Sequence, residues 1–136
     1  MNRRMLSRED EEAAGDEIEV RREDQDKINR FSRLHQRELG IEEELKDKNK
    51  EKEELDDLDT ELELVEDEEE LVQYKIGDAF FHIPHAQAKE MLGIAAAKLE
   101  NEIEDLQDKL ETIRIEMNGL KVDLYARFGR TINLET

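Results

Sequence analysis

The sequence has no cysteine and no tryptophan, only one proline, and 4% aromatic residues. Without cysteine there can be neither a disulfide framework nor a thiolate metal site. No apolar run approaches the ~20 residues of a membrane-spanning helix, and no apolar segment follows the arginines near the N-terminus as it would in a secretory signal. We therefore expect a cytoplasmic protein without a membrane partner, with a nuclear location also open.

The sequence has no excess of positive charge, since 39 acidic residues outnumber 21 lysines and arginines. The 136 residues carry a formal net charge of −18, and residues 51–70 hold 13 acidic side chains against one lysine. Nucleic-acid binding needs a cationic surface that displaces counterions from phosphates, so we expect no nucleic-acid partner. The local exception is 27–37, where four basic residues occur without an acidic one. This segment is where a negatively charged partner would be attracted.

The residue patterns that catalysis and metal binding require are missing from the sequence. It has no glycine-rich phosphate loop and no nucleophile paired with a base. His82 and His85 lie three residues apart, but His35 is distant in the sequence and no cysteine can supply a third ligand. We therefore expect no enzyme activity, no metal and no cofactor.

What the chain does contain is helical periodicity. In the first half, apolar residues recur mostly at intervals of three, four or seven from Ile28 onward, which predicts a helix over 24–65. In the second half they alternate strictly by four and three, as in a coiled-coil seam, which predicts a helix over 86–128. Asn118 and Gly119 are typical of a turn but fall on the outward face of this pattern, so we expect the helix to continue through them. The predicted seam residues are Leu99, Ile103, Leu106, Leu110, Ile113, Met117, Leu120 and Leu124.

A short β-hairpin is predicted over 71–83, between the two helices. Gly77 and Asp78 suit its two-residue turn, and Pro84 ends the second strand because proline cannot donate a ladder hydrogen bond. An isolated two-stranded hairpin is marginal in water, and this one has two unpaired edges and an apolar face, so we expect it to assemble with partner chains. The predicted pairs are Val72 with Ile83, Tyr74 with Phe81 and Ile76 with Ala79 on the apolar face, and Gln73 with His82 and Lys75 with Phe80 on the other. The residues predicted to mediate assembly are Val72, Tyr74, Ile76, Phe81 and Ile83.

These elements together predict a chain dominated by α-helix: a long antiparallel coiled-coil hairpin of helices with the one β-hairpin between them. Because the β-hairpin lies near the middle of the chain, the second helix must return antiparallel to the first. Residues 1–22 are polar and aperiodic, and we interpret them as a disordered acidic extension. Residues 23–136 form one predicted domain, which ends in a short tail at 129–136.

Three segments of the sequence resemble the prefoldin family, and the single β-hairpin resembles the β class of its subunits. The resemblance runs in order from about Val20 to the C-terminus. The last segment is the most specific of the three, because generic coiled coils do not end in this way. The segments are EDQDKINRF at 23–31, YKIGDAF at 74–80 and LYARFGRTINL at 124–134.

The resemblance implies a heterohexameric co-chaperone in which this chain is joined by two α-class subunits and three further β-class subunits. The β-hairpins of the six subunits would form an inter-subunit β-barrel, from which six coiled-coil arms extend. Such a complex would capture non-native actin and tubulin without ATP and transfer them to the cytosolic group II chaperonin.

The resemblance also implies that clients are held at the arm tips, where the two helix ends meet. We expect the apolar residues there to be exposed, because little chain is left to cover them, and to be ringed by cations that attract acidic clients. Ile28, Phe31 and Leu124 are equally compatible with the last turn of the coiled-coil core. The predicted client-binding residues are Ile28, Phe31, Tyr125, Phe128, Ile132 and Leu134, and the predicted cations are Lys27, Arg30, Arg33, Arg37, Arg127 and Arg130.

Two other functions remain open at this point. A homodimeric coiled-coil scaffold explains the heptads but gives no role to the β-hairpin or to the aromatic C-terminal segment. An acidic chaperone for basic clients fits the net charge of −18 but does not fit the cationic helix end.

Overall fold

A computed structural model describes residues 19–65, 71–76 and 79–135 of the chain. Two long helices with one antiparallel β-hairpin between them confirm the predicted fold class. Residues 1–18 and the predicted turn at Gly77 and Asp78 lie outside the described residues. No helix in the described part of the chain is both long and apolar enough to cross a membrane. The elements are helix α1 (Arg22–Glu63), strand β1 (Leu71–Ile76), strand β2 (Ala79–Pro84), helix α2 (His85–Phe128) and a 3-10 turn (Gly129–Thr131).

Helix α1 begins where Asp24 satisfies a backbone group that the helix itself leaves unpaired. The Asp24 carboxylate accepts a hydrogen bond from the Arg21 backbone N–H at 3.0 Å, which is the arrangement of the acidic residue in a capping box. Glu23 and Asp24 also place negative charge in the first turn, where the helix dipole stabilises it. The helix therefore begins at Arg22, slightly before the predicted residue 24, and Val20 just outside it packs against the core.

The end of α1 is tied to the start of α2. After Glu63 the chain tightens, and the Val65 backbone N–H donates to the Leu62 carbonyl at 3.1 Å. The same carbonyl accepts a hydrogen bond from Nε2 of His85, the first residue of α2. Because a carbonyl oxygen can only accept, Nε2 must carry the proton of this buried imidazole. The Leu62 carbonyl, which the end of the helix leaves without an intrahelical partner, thus accepts two hydrogen bonds, one from Val65 and one from His85.

Helix α2 runs without a break through Asn118 and Gly119, so the seam pattern prevails over the turn signal, as predicted. Both residues are exposed, and the predicted seam residues are buried except Leu120, which is half-buried. The helix ends before Gly129, whose φ of 58° lies in the left-handed region that glycine adopts without a steric clash. Arg127 in the last turn complements the negative end of the helix dipole.

Strands β1 and β2 form a two-stranded antiparallel sheet. The register of a hairpin is set by its turn and by the alternation of side chains between the two faces of the sheet. In this sequence the predicted two-residue turn and the alternation of apolar residues specify the same pairing. All the cross-strand pairs predicted from the sequence are present: Val72 with Ile83, Gln73 with His82, Tyr74 with Phe81, Lys75 with Phe80 and Ile76 with Ala79, next to Leu71 with Pro84.

The chain forms two compact units, each of which contains part of both helices. The first, which we call the terminal unit, consists of the described residues of Met1–Glu43 and Asp108–Thr136. Its core is one apolar cluster in which residues of α1, α2 and the chain beyond α2 are buried together. The members are Ile28, Phe31, Leu34, Ile113, Met117, Leu124, Phe128, Ile132 and Leu134.

The second unit, which we call the hairpin unit, consists of the described residues of Glu44–Gln107. Lys48 pairs with Glu102 at 2.7 Å and Lys52 with Glu100 at 3.9 Å. Residue numbers rise along α1 as they fall along α2, so the helices run antiparallel within this unit. The lysines stand where α1 has no apolar residue, and both are half-buried. The buried apolar residues of the unit are Leu45, Ala88, Leu92, Leu99, Ile103 and Leu106.

The assigned inner face of α2 can be tested with two isoleucines that differ mainly in burial. Ile113 is 4% exposed and Ile115, on the same helix, is 65% exposed. Ile113→Ala should lower the free energy of unfolding by about 2–4 kcal/mol, because it removes buried methyl groups and leaves a cavity. Ile115→Ala should stay within about 0.5 kcal/mol of the wild type. Urea unfolding followed by circular dichroism measures both, and equal losses would contradict the assigned face.

Candidate functional site

The predicted client-binding residues come together in the terminal unit, where α1 begins and α2 ends. Ile28 and Phe31 lie one turn apart on α1, and Leu124 and Phe128 lie one turn apart on α2. All four side chains are at most 5% exposed and belong to the same cluster. The helical spacing of three and four residues puts each pair on one face, which is why the two helices can bury them against each other.

Beyond α2 the chain turns back on this cluster. Gly129 reverses the direction of the backbone, and the Thr131 hydroxyl donates to the Phe128 carbonyl at 2.6 Å. The chain is then extended, and the side chains of Ile132 and Leu134 are buried in the cluster. We call residues 129–135 the tail.

The Tyr125 hydroxyl holds the tail to the last turns of α2. It accepts a hydrogen bond from the Leu134 backbone N–H at 3.1 Å and donates one to the Glu135 carboxylate at 3.3 Å. The Tyr125 ring is half-buried and packs against the cluster. One side chain thus links the end of the helix to the backbone of the tail.

The expected exposure of the apolar tip is therefore wrong for most of its residues. Only Tyr125 is partly exposed, because the tail folds back and its residues Ile132 and Leu134 are buried in one cluster with Ile28, Phe31 and Phe128. The tail has no helical period, and the alternation of Ile132 and Leu134 in the sequence does not indicate where the tail packs. A client-binding role for these residues stays a prediction, and it now requires that the cluster opens. The buried residues are Ile28, Phe31, Phe128, Ile132 and Leu134.

An ion pair between buried Asp24 and half-buried Arg127 joins the start of α1 to the end of α2. Arg127 binds both carboxylate oxygens of Asp24 at 2.9–3.1 Å and also donates to the Glu19 carbonyl at 2.6 Å. Burial raises the pKa of the Asp24 carboxyl, but the hydrogen bonds from Arg127 and from the Arg21 backbone N–H, together with the charges of these arginines, outweigh burial and lower it overall. Asp24 is therefore held in its charged form, paired with the guanidinium.

Further ion pairs flank the cluster and neutralise part of the predicted ring of cations. Arg30 binds Glu116 through two hydrogen bonds of 2.6 and 3.0 Å, which raises the pKa of Arg30 and lowers that of Glu116. Lys27 lies 3.4 Å from Asp123. Sequence reasoning placed the cations but missed these carboxylates, although opposite charges at facing positions of antiparallel helices could have indicated them. The predicted cations that remain exposed are Arg33, Arg37 and Arg130.

The hairpin unit presents the second predicted surface. Val72 and Ile83 are half-buried, and Leu71 and Phe80 are exposed. The side chains of Tyr74, Ile76 and Phe81 lie outside what the structure describes. Next to the sheet is a largely apolar hollow of about 670 Å³, which the described residues of this unit leave unfilled. Its walls include Leu55, Leu58, Leu62, Val65, Val72, Phe80, Ala88 and Leu92.

Neither surface has the geometry of a metal site. Over residues 19–65, 71–76 and 79–135, no three His, Asp or Glu side chains are placed to share an ion. His85, the most buried histidine, already donates to the Leu62 carbonyl.

Comparison with known proteins identifies similar chains over nearly the whole length. The family described as "Prefoldin subunit" matches residues 25–131. Prefoldin subunit 4 of Saccharomyces cerevisiae is 47% identical over 113 residues, which cover 83% of this chain and 87% of the yeast protein. Prefoldin subunit 4 of Homo sapiens and that of Bos taurus are each 38% identical over 90% of this chain and 92% of their own length.

The ion pair between Asp24 and Arg127 predicts a specific dependence of stability on pH. Asp24→Asn should lower the free energy of unfolding at neutral pH by roughly 1–2 kcal/mol, because Arg127 loses a charged hydrogen-bond acceptor. The pKa of Asp24 is lower in the folded than in the unfolded state. Its stabilisation is therefore complete above the unfolded pKa of about 3.9 and is lost as pH falls through the lower folded pKa. Wild type and variant should converge in acid.

Urea titrations at a series of pH values measure this difference. Asp123→Asn is the matched control, because Asp123 forms the exposed ion pair with Lys27 at the same end of the helices. It should change the free energy of unfolding by no more than about 0.5–1 kcal/mol at any pH. A difference between wild type and Asp24→Asn that persists unchanged in acid would contradict the assigned role of the carboxylate.

Proposed function

Because this chain belongs to the prefoldin subunit family, we propose that it serves the prefoldin co-chaperone complex by holding non-native proteins without nucleotide. As a subunit of that family it assembles with other prefoldin subunits. The proposed complex is a heterohexamer with two α-class and three further β-class subunits. Its proposed clients are non-native actin and tubulin, which it transfers to the cytosolic group II chaperonin. The proposed location is the cytoplasm, with the nucleus also open.

The hairpin unit supports assembly through the β-hairpin. A sheet of two strands has two outer edges, and such a sheet is marginal in water by itself. Exposed Leu71 and the half-buried pair of Val72 and Ile83 add apolar surface beside the unfilled hollow. Strands from neighbouring subunits, paired into a β-barrel, would satisfy these edges and cover this surface.

The apolar cluster of the terminal unit is the observation that carries client holding. It concentrates the aromatic residues Phe31 and Phe128, with Tyr125 beside them, where both helices end. Helix ends and short tails open locally at lower free energy than helix interiors, so this cluster is the part of the core most readily exposed. Exposed Arg33, Arg37 and Arg130 add positive charge that speeds the encounter with acidic clients.

Assembly through the hairpin predicts the behaviour of one pair of substitutions. Val72→Asp combined with Ile83→Asp should block entry into the hexamer and leave the helix content largely intact, because a carboxylate buried in the barrel without a partner is costly. The control is His82→Asp, on the opposite face of strand β2, whose side chain is exposed and does not line the hollow. Co-expression with the partner subunits and native mass measurement report both, and a complete hexamer with the substituted pair would refute assembly through this face.

Client holding at the terminal unit predicts a loss of capacity without loss of assembly. Hexamers in which this chain carries Ile28→Ser and Phe128→Ser should suppress aggregation of denatured actin less than wild type does. The reduction is partial, because five other subunits remain, and capture should be the same with and without ATP. The control, Leu99→Ser with Ile103→Ser, also removes two buried side chains but from the hairpin unit. Equal capacity in wild type and the first variant, or capture that requires ATP, would count against the proposed function.

A further inference from the structure

The tail lies on the terminal unit in the way that an extended polypeptide lies on an apolar surface. The backbone at Ile132 is extended, with φ −121° and ψ 145°. The side chains then alternate, since Ile132 and Leu134 are buried while Asn133 and Glu135 are exposed. A period of two is that of a strand with one face against a surface. The surface beneath the tail therefore accepts apolar side chains at alternate positions.

Ile132 and Leu134 are buried in one cluster with Ile28, Phe31 and Phe128, and Tyr125 packs against that cluster. We call the surface that Ile28, Phe31, Tyr125 and Phe128 present to the tail the tip groove. Its polar group is the Tyr125 hydroxyl, which accepts a hydrogen bond from the backbone N–H of Leu134. Every residue except proline carries such an N–H, so this anchor recognises an extended backbone and not a particular side chain. The tip groove thus combines apolar contact with a backbone anchor that is independent of sequence.

The walls of the tip groove are held by contacts that do not involve the tail. Arg127 on α2 binds Asp24 on α1, and Lys27 pairs with Asp123 in the same unit. The seam residue Leu124 is fully buried and belongs to the same cluster. These ion pairs and the burial of Leu124 therefore hold the start of α1 and the end of α2 together when the tail is released.

We propose that the tip groove binds extended segments of non-native polypeptide with apolar side chains at alternate positions, and that the tail is its intramolecular placeholder. This rests on the proposed function and divides the predicted site: Ile28, Phe31, Tyr125 and Phe128 contact the client, whereas the apolar residues of the tail occupy the groove until a client displaces them. Unpaired strand segments of unfolded proteins have the required alternation. Because the tail must first leave, the apparent affinity of the groove for a client is its intrinsic affinity multiplied by the fraction of chains whose groove is open. When no client is bound, the tail keeps the apolar surface of the groove covered.

The absence of cysteine allows the tail to be observed directly. A spin label on Glu135→Cys, in the full chain assembled with its partner subunits, reports whether the tail is docked. The labelled chain lacks the Glu135 carboxylate, so its Tyr125 hydroxyl keeps only the hydrogen bond from the Leu134 backbone N–H. Tyr125→Phe in this labelled chain should raise the ratio of released to docked tail by about five-fold, because it removes that remaining hydrogen bond. The peptide GRTINLE added in trans should release the tail of the wild-type chain. The same peptide with isoleucine and asparagine exchanged, which places its two apolar side chains next to each other, should not.

A second variant tests the placeholder without truncating the chain. Ile132→Ser combined with Leu134→Ser should raise the apparent affinity for fluorescent GRTINLE about ten-fold or more, because the weakened tail no longer competes for the groove. Asn133→Ser, at the exposed position between them, should stay within about two-fold of wild type. Helix content and hexamer elution establish that each variant is assembled. A docked tail that saturating peptide does not move, or equal release by both peptides, overturns the proposal.

Capture of denatured actin by the same complexes separates this proposal from the proposed function. More actin held by the Ile132→Ser and Leu134→Ser complex supports both. Less actin held by it means that these two residues contact the client, and the placeholder role is then wrong. If the peptide releases the tail but no complex holds actin, the tip groove stands and the proposed client fails.

Discussion

The contact between the apolar stripe of α2 and the facing side of α1 is the interaction on which the remainder of the structure depends. Hydrophobic residues make up 36% of the chain and charged residues 44%, so little apolar surface is available to hold two long helices together. Strict four-three spacing places that surface on one side of α2, where each side chain can be buried. The ion pairs along the borders are mostly exposed and therefore add orientation and solubility more than stability.

Where α1 begins and α2 ends, the apolar contact between the helices stabilises the fold, but it also buries the side chains that are proposed to hold clients. Burial of Ile28, Phe31 and Phe128 stabilises the terminal unit, whereas the proposed holding of clients needs apolar side chains that another chain can reach. The tail reconciles the two, because it is short, begins at a glycine and is held by few contacts beyond two apolar side chains and one tyrosine hydroxyl. The Asp24 and Arg127 pair lies beside it and keeps the helix ends together whether the tail is docked or released.

The hairpin unit has the opposite character. Its two strands pair in one register, yet a two-stranded sheet beside an unfilled apolar hollow cannot satisfy its own edges. The chain belongs to the prefoldin family, and the assembly through the β-hairpin that we propose would supply strands for these edges. The chain thus has one surface that is incomplete without partner subunits and another that is complete only while its own tail covers it.

Much of the fold was decided by the sequence itself. The four-three period of α2, its continuation through Asn118 and Gly119, and the pairing of β1 with β2 are local properties that can be read from residue spacing and turn chemistry. The tertiary structure alone decided which residues of the terminal unit are covered and which cations are paired. Burial of Ile132 and Leu134 depends on where the chain goes after Gly129, and the partners of Arg127 and Arg30 depend on the register of two helices distant in sequence. Such contacts have no period, so a linear sequence carries no signal for them until the helices that bring them together are in place.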